Sequence, residues 1–297
     1  MSTPLHLCKL HATGNDFLVC DPAETITGWM GSPTAALAGL CNRHTGVGAD
    51  GLIFLNRGSD GADCTMKLHN ADGGRAEMSG NGIRCLAWLA HRKGLGDGKR
   101  LVVDTDAGRR EVDLDVDPLT DELRAATVDM GPVTFEPSAI PLDAPTAFDL
   151  EAVFHGTRYV GDAAGMGNPH LVLIVDDLQA ARVTQHGPHL EHDERFPNRT
   201  NVEFVAPTAG KPDAIDMRVW ERGVGETLSC GTGACAAAAV ANRRGLVGER
   251  AVVHVPGGDL TVELGETIRL GGSVTHVFDT TVDLDDFKPR RVRPDAR

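Results

Sequence analysis

"MSGNGIRCLAWLA", from Met78 to Ala90, and "SCGTGACAAAAV", from Ser229 to Val240, are two versions of one pattern: a capping residue, Gly-polar-Gly, then an apolar run. Each reads as a turn that opens a helix. Its glycines let the backbone approach a ligand closely, and the free N–H groups of the first helical turn present the positive end of the helix dipole to an anion. The copies differ at the residue before the first glycine, which is Ser79 in one and Cys230 in the other. A single such turn is better explained by ordinary helix capping than by binding.

Working outward from the two turns, the same order of parts surrounds each. In the first half, periodicity predicts strands at Leu5–His11 and Phe17–Asp21, a helix over Pro33–Arg43, and strands near Leu52–Arg57 and Cys64–Asn70. A helix from Gly80 to Lys93, stopped by Gly94, and strands at Leu101–Ala107 and Glu111–Val116 follow. In the second half it predicts strands near Phe154–Val160 and His170–Val175, a helix near Leu178–His189, and strands near Asn201–Val205 and Ile215–Trp220. A helix from Gly231 to Arg244 and strands at Ala251–Val255 and Asp259–Leu264 complete that half.

The register of the repeat is set by three pairs. Asn15 in "TGNDFLV" corresponds to Asn168 in "MGNPHLV" at a separation of 153 positions; Asn70 corresponds to Glu221, and Ser79 to Cys230, both at 151. The reading is a duplicated α+β unit, an α/β chain of two halves: residues 1–130 with a returning 276–297, and residues 131–275. The boundary falls in "DMGPVTFEPSAIPLDAP", which is proline-rich and aperiodic.

Composition excludes several classes of function. A formal charge of −13 with scattered Lys and Arg argues against a nucleic-acid partner. The basic tail "KPRRVRPDAR" reads as a solvated terminus. No apolar run approaches the roughly 18 residues of a membrane span, and the start lacks a secretory pattern, so no membrane association and a cytoplasmic location are expected. The cysteines at 8, 20, 41, 64, 85, 230 and 235 form neither a disulfide framework nor a zinc pattern, and the 12 histidines show no ligand spacing; no metal is expected.

Two helix starts brought to one ligand would clamp a carboxylate from both sides and stabilise enolate-like charge at the neighbouring α-carbon. Ser79 and Cys230 would then face opposite sides of that carbon, and a proton removed on one side and delivered on the other inverts the centre. A thiol of free pKa about 8.5 is expected to fall further at a helix start, giving thiolate near neutrality. Glu221 would hold the thiol proton or an α-ammonium group. His170, on a strand expected to pair with the first half, would be the proton partner of Ser79, although a lone histidine is more often structural.

"HATGNDFLV", "RHTGVGADGL", "NADGGRAEMSGNGIRC", "GMGNPHLV" and "ERGVGETLSCGTGACAAA" resemble, in order and spacing, the signature segments of the diaminopimelate epimerases over nearly the whole chain. The resemblance implies two pseudo-symmetric domains, each a barrel-like, mostly antiparallel sheet around a central helix, with the active site between them. It implies cofactor-free interconversion of LL- and meso-2,6-diaminopimelate for lysine and peptidoglycan synthesis, in a homodimer. Carried over by position, substrate contacts fall on Asn15, Asn70, Asn168, Asn201, Glu221 and Arg222, and the helix-start clamps on Gly80-Asn81 and Gly231-Thr232. Arg222 would grip a distal carboxylate, and His170 and Glu221 would assist the two catalytic residues. Phe278 stands near a position where the family often has a dimer-interface tyrosine.

The departure is Ser79, where the family has cysteine. Serine is the far weaker acid and needs a base. Three readings stay open: Ser79 works natively with His170 behind it, it replaces a catalytic cysteine in a form that binds without turnover, or the chain is a divergent relative. Epimerisation of another amino acid in the same cage is the alternative activity, which Arg222 and the asparagines disfavour for a substrate without a second polar end.

Overall fold

A computed structural model of the chain describes residues 4–21 and 33–287. The basic tail at 288–297, and with it the end of the 276–297 segment, lies outside the described residues. The chain divides into two compact units: one takes the chain up to Ala12, Asp16–Arg124 and the chain from Val274 onward, and the other takes Thr13–Asn15 and Ala125–Ser273.

In chain order the first unit has β1 (Pro4–Ala12), β2 (Asn15–Cys20), α1 (Pro33–Cys41), β3 (Gly51–Arg57), β4 (Cys64–Asn70), β5 (Arg75–Ala76), α2 (Gly80–Arg92), β6 (Arg100–Thr105) and β7 (Gly108–Val116). Then β8 (Leu123–Asp129) leads into β9 (Leu150–Phe154), β10 (Thr157–Gly165), β11 (Pro169–Ile174), α3 (Val183–Glu191), β12 (Asn201–Pro207), β13 (Ala214–Glu221) and β14 (Gly225–Thr227). After α4 (Gly231–Arg243) come β15 (Arg250–Val255), β16 (Gly258–Glu263) and β17 (Arg269–Ser273), and β18 (Thr275–Asp283) returns to the first unit.

The fold is mixed α/β and mostly strand, as expected, and one succession of pairings occurs in both units. In the first, β2–β3 is parallel, β3–β4 antiparallel, β4–β6 parallel and β6–β7 antiparallel. In the second, β11–β12 is parallel, β12–β13 antiparallel, β13–β15 parallel and β15–β16 antiparallel. Each parallel step skips over a helix or a helix-bearing crossover, so a helix must lie against the sheet that the step completes.

The two that open at the Gly-polar-Gly turns, α2 and α4, are buried along most of their length. In α2 every residue from Gly80 to Ala90 is buried, against β1, β3, β4 and β7. In α4 the run Ala236–Ala239 lets strands β10 to β13, β15 and β16 come close, because alanine combines the best helix propensity with the smallest side chain. An all-round apolar helix is stable only in such an interior.

Four expectations change. The predicted strand Phe154–Val160 is a hairpin: His155 and Gly156, at φ 45° and 78°, form the two-residue turn between β9 and β10. The predicted helix Leu178–His189 starts at Val183 and runs to Glu191, because Asp177 Oδ1 accepts from the N–H groups of Gln179 and Ala180 and holds that segment in a turn. The strands β8, β17 and β18 carry no clean alternation and were not expected. Gly271 in β17 is a close-approach site, where a Cβ would lie 2.3 Å from Thr261 Oγ1. Finally, the strand of His170 pairs with β10 and β12, both from its own half, so it does not pair with the first half.

Candidate active site

In the first unit Ser79 caps α2. Its backbone is extended, at φ −142° and ψ 125°, and its Oγ accepts from Gly82 N–H at 3.0 Å. Gly82 is needed there, since a Cβ would meet Ser79 Cβ at 3.2 Å and Ile53 at 3.1 Å. Asn81 is buried, and its Oδ1 accepts from the wholly buried Arg84 at 2.8 Å, which fixes the amide. Asn70 ends β4 and opens the turn back toward α2: Gly73 N–H donates to Asn70 O, and Asn70 N–H to Gly74 O, both at 2.8 Å. Gly80 is the first helical residue, buried like its neighbour.

The second unit gathers the remaining predicted residues. Cys230 caps α4 as Ser79 caps α2, with an extended backbone at φ −122° and ψ 113° and its Sγ accepting from Gly233 N–H at 3.4 Å. Thr232 Oγ1 lies 3.6 Å from that sulfur, and Asn168 Nδ2 donates to Thr232 Oγ1 at 3.4 Å. Asn168 Oδ1 lies 3.0 Å from His170 Nε2, and His170 Nδ1 lies 2.7 Å from Glu203 Oε1. Asn201 faces His170 in the β11–β12 register; it donates to Pro169 O at 3.0 Å and accepts from Arg222 N–H at 2.9 Å.

Glu221 ends β13 and accepts from the Thr227 hydroxyl, while the exposed Arg222 guanidinium donates to Asn198 O at 3.0 Å. Asn15 belongs to this unit too. The turn that carries it is anchored by a hydrogen bond of 2.8 Å between Thr13 Oγ1 and Ser229 Oγ, one residue before Cys230. Gly231 is the first residue of α4 and is buried.

Both helix starts therefore present a hydroxyl or a thiol in the capping position, over glycines, with asparagines beside them. The sequence pattern described for diaminopimelate epimerases matches residues 7–136 and 163–275. The chain belongs to the diaminopimelate epimerase family. A diaminopimelate epimerase of Pelotomaculum thermopropionicum is 41% identical over 278 residues, 92% of this chain and 97% of the relative. One from Synechococcus elongatus is 39% identical over 288 residues, 94% and 99% of the two chains. Among solved structures, a hydroxyproline epimerase from Agrobacterium vitis superposes with a TM-score of 0.68, covering 96% of this chain and 94% of its own at 17% identity. A PhzF-family protein of Bacillus anthracis superposes at 0.67 with 15% identity, covering 94% and 99%. At that identity the likeness is one of fold.

This member of the epimerase family departs from the electrostatics expected of its sequence. Burial pushes the Cys230 thiol well above its ordinary value, and the nearby charges of Glu221 and Glu203 push it further. Hydrogen bonds from Thr232 and Gly233 pull it down but do not win. Sequence reasoning counted the helix start and missed the burial and the second carboxylate, which favour the thiol where thiolate was expected.

Glu203 is the residue sequence reasoning missed. It is wholly buried on β12, two positions after Asn201, and a Cβ at Gly233 would lie 2.6 Å from its Oε1 and 3.2 Å from Cys230 Sγ. The signal was present: a carboxylate inside the apolar run "NVEFVA", in step with Asn201 by the two-residue period of a strand. The structure also shows both ring nitrogens of His170 engaged, by Glu203 and Asn168, so its expected service to Ser79 would require one of these bonds to open.

Proposed function

We propose that this enzyme epimerises LL-2,6-diaminopimelate to the meso isomer, serving lysine and peptidoglycan synthesis in the cytoplasm, by cofactor-free proton transfer at one α-carbon. The observation that carries the reading is the matched pair of caps, Ser79 over Gly82 N–H and Cys230 over Gly233 N–H, in a chain of this family. The functional halves are residues 1–130 with 276–297, carrying Ser79, and 131–275, carrying Cys230.

In this reading the α-carboxylate is held by the first-turn N–H groups at Gly80-Asn81 and Gly231-Thr232, which stabilise the enolate-like charge that develops when the α-proton leaves. Cys230 and Ser79 exchange protons with opposite faces of the carbon: one takes the α-proton, the other delivers its own, and the configuration inverts. Glu221 receives the α-ammonium group. That pairing also neutralises one of the two charges that hold the Cys230 thiol up, so thiolate forms when substrate is bound. Most of Asn15, Asn70, Asn168 and Asn201, with Arg222, read the distal amino acid centre, and His170 assists proton handling at Ser79 after releasing one of its two bonds. A homodimer rests on the family resemblance alone, which Phe278, standing near the family's usual interface tyrosine, weakens; light scattering on the purified enzyme tests it.

Conversion of LL- to meso-diaminopimelate, followed by chiral separation, tests the activity, with proline, hydroxyproline and histidine as competing substrates. Turnover of one of those three without turnover of diaminopimelate contradicts it. A second reading, binding without turnover, is favoured by one observation: Ser79 Oγ is committed to capping, accepting from Gly82 N–H. Activity that appears only on Ser79→Cys would select that reading.

A further inference from the structure

We propose that Glu203 is a positioning residue which, through His170, sets the direction of a hydrogen-bond chain ending at Cys230, so that the Thr232 hydroxyl donates to the sulfur. The chain runs within one unit from Glu203 to His170 at 2.7 Å, to Asn168 at 3.0 Å, to Thr232 at 3.4 Å and to Cys230 Sγ at 3.6 Å.

Its direction follows from which atoms meet. A carboxylate oxygen faces His170 Nδ1 and an amide oxygen faces Nε2, and both oxygens are acceptors, so both ring nitrogens donate. With its oxygen taken by the ring, Asn168 offers its NH₂ to Thr232 Oγ1. Thr232, having accepted there, has its own proton free to point at the sulfur, beside the Gly233 N–H. Reversing any link reverses those after it, and a neutral ring could receive the Asn168 NH₂ and leave Thr232 facing an amide oxygen.

Glu203 fixes the ring because His170 Nδ1 is the hydrogen-bond partner its carboxylate has in this chain of contacts. Both side chains are completely buried, and Glu203 Oε2 has no hydrogen-bond partner, so the His170 contact is what holds the carboxylate among these contacts. The ionisable groups facing Cys230 are Glu221 on β13 and Glu203 on β12, with His170 on β11 behind Asn168. Loss of the Glu203 charge by itself would lower the pKa of the Cys230 thiol, so slower alkylation in a Glu203 variant reads the direction of the donors and not the charge. The inference rests on the proposed role of Cys230 in proton transfer, but its test does not require turnover.

The experiment is alkylation of Cys230 by iodoacetamide in the full-length enzyme without substrate, between pH 7 and pH 10, read by mass spectrometry on the Cys230 peptide. Glu203→Gln and Thr232→Val are each expected to slow alkylation at a given pH by about tenfold, which is one pKa unit in thiolate population. Thr232→Ser is expected to keep the wild-type rate, and the double variant Glu203→Gln/Thr232→Val to be no slower than either single one. Alkylation unchanged or faster in Glu203→Gln, a slow Thr232→Ser, or multiplying effects in the double variant overturn the inference. If Glu203→Gln does not fold, Glu203→Asp, which withdraws the carboxylate by one methylene, takes its place; slowing supports the inference and an unchanged rate overturns it. Failure of the wild-type enzyme to epimerise would instead refute the proposed function and leave the alkylation result standing by itself.

Discussion

His170 Nδ1 and Glu203 Oε1 lie 2.7 Å apart with neither side chain reaching solvent, an ion pair sealed between β11, β12 and the start of α4. A buried pair contributes little as a pair, but removing one partner leaves a charge that water cannot reach. His170→Ala is therefore expected to cost about 3–5 kcal/mol of unfolding free energy. Urea unfolding followed by circular dichroism measures this, and a cost below about 1 kcal/mol would contradict it.

Ser79 has two tasks that substitution separates. Ser79→Ala removes the cap on α2, at a cost of about 1 kcal/mol, and abolishes exchange at its face of the substrate. Ser79→Cys keeps the shape and offers a far stronger acid, so the epimerisation rate is expected to rise at least about tenfold. Equal rates for the serine and cysteine forms would show that proton transfer at this residue does not limit turnover.

Gly233 has no room for a side chain, since a Cβ would lie 2.6 Å from Glu203 Oε1 and 3.2 Å from Cys230 Sγ. Gly233→Ala should lower stability by about 1–3 kcal/mol and reduce turnover with it. The same substitution at Gly94, where nothing lies within 4 Å, meets only the strain of φ +69°, and turnover should be retained. Similar turnover losses at both positions would count against tight packing as the cause.

Alkaline stability follows from the thiols. Burial raises Cys64 and Cys85 to about 12, with the Asp63 charge adding to the effect at Cys64, and raises Cys41 to about 11. A group whose folded pKa lies above its unfolded value contributes stability below the unfolded pKa and loses it as pH rises toward the folded one. The urea midpoint should therefore be level to about pH 8 and fall between pH 9 and pH 11. Replacing Cys85 by Ala should make that fall shallower, and an unchanged slope would argue that lysine or tyrosine titration dominates.

Much of this could be read from particular residues. The repeat of Gly-polar-Gly at Ser79 and Cys230 marked both helix starts correctly, because capping and glycine requirements are local and leave a local signature. The strand Cys64–Asn70 was legible from its alternation, and its bounds match β4. What escaped depended on distant chain. The hairpin at His155-Gly156 is decided by a turn geometry that a histidine rarely announces, and β17 by a close approach at Gly271 that only the neighbouring strand reveals. At the site, the helix start was visible beside Cys230, but the burial of that thiol and the carboxylate of Glu203 come from β12 and are fixed only by packing.

The central claim is two-sided proton transfer, and exchange of the α-proton with solvent tests it most directly. The enzyme is incubated in deuterium oxide with LL- and with meso-diaminopimelate in turn, and initial deuterium incorporation is followed by mass spectrometry. Both isomers are expected to exchange, the faster being the one whose α-proton faces Cys230, since a thiol is a better source of base than the Ser79 hydroxyl. No incorporation from either isomer would contradict the account, and equal initial rates at saturation would contradict the unequal roles given to Ser79 and Cys230.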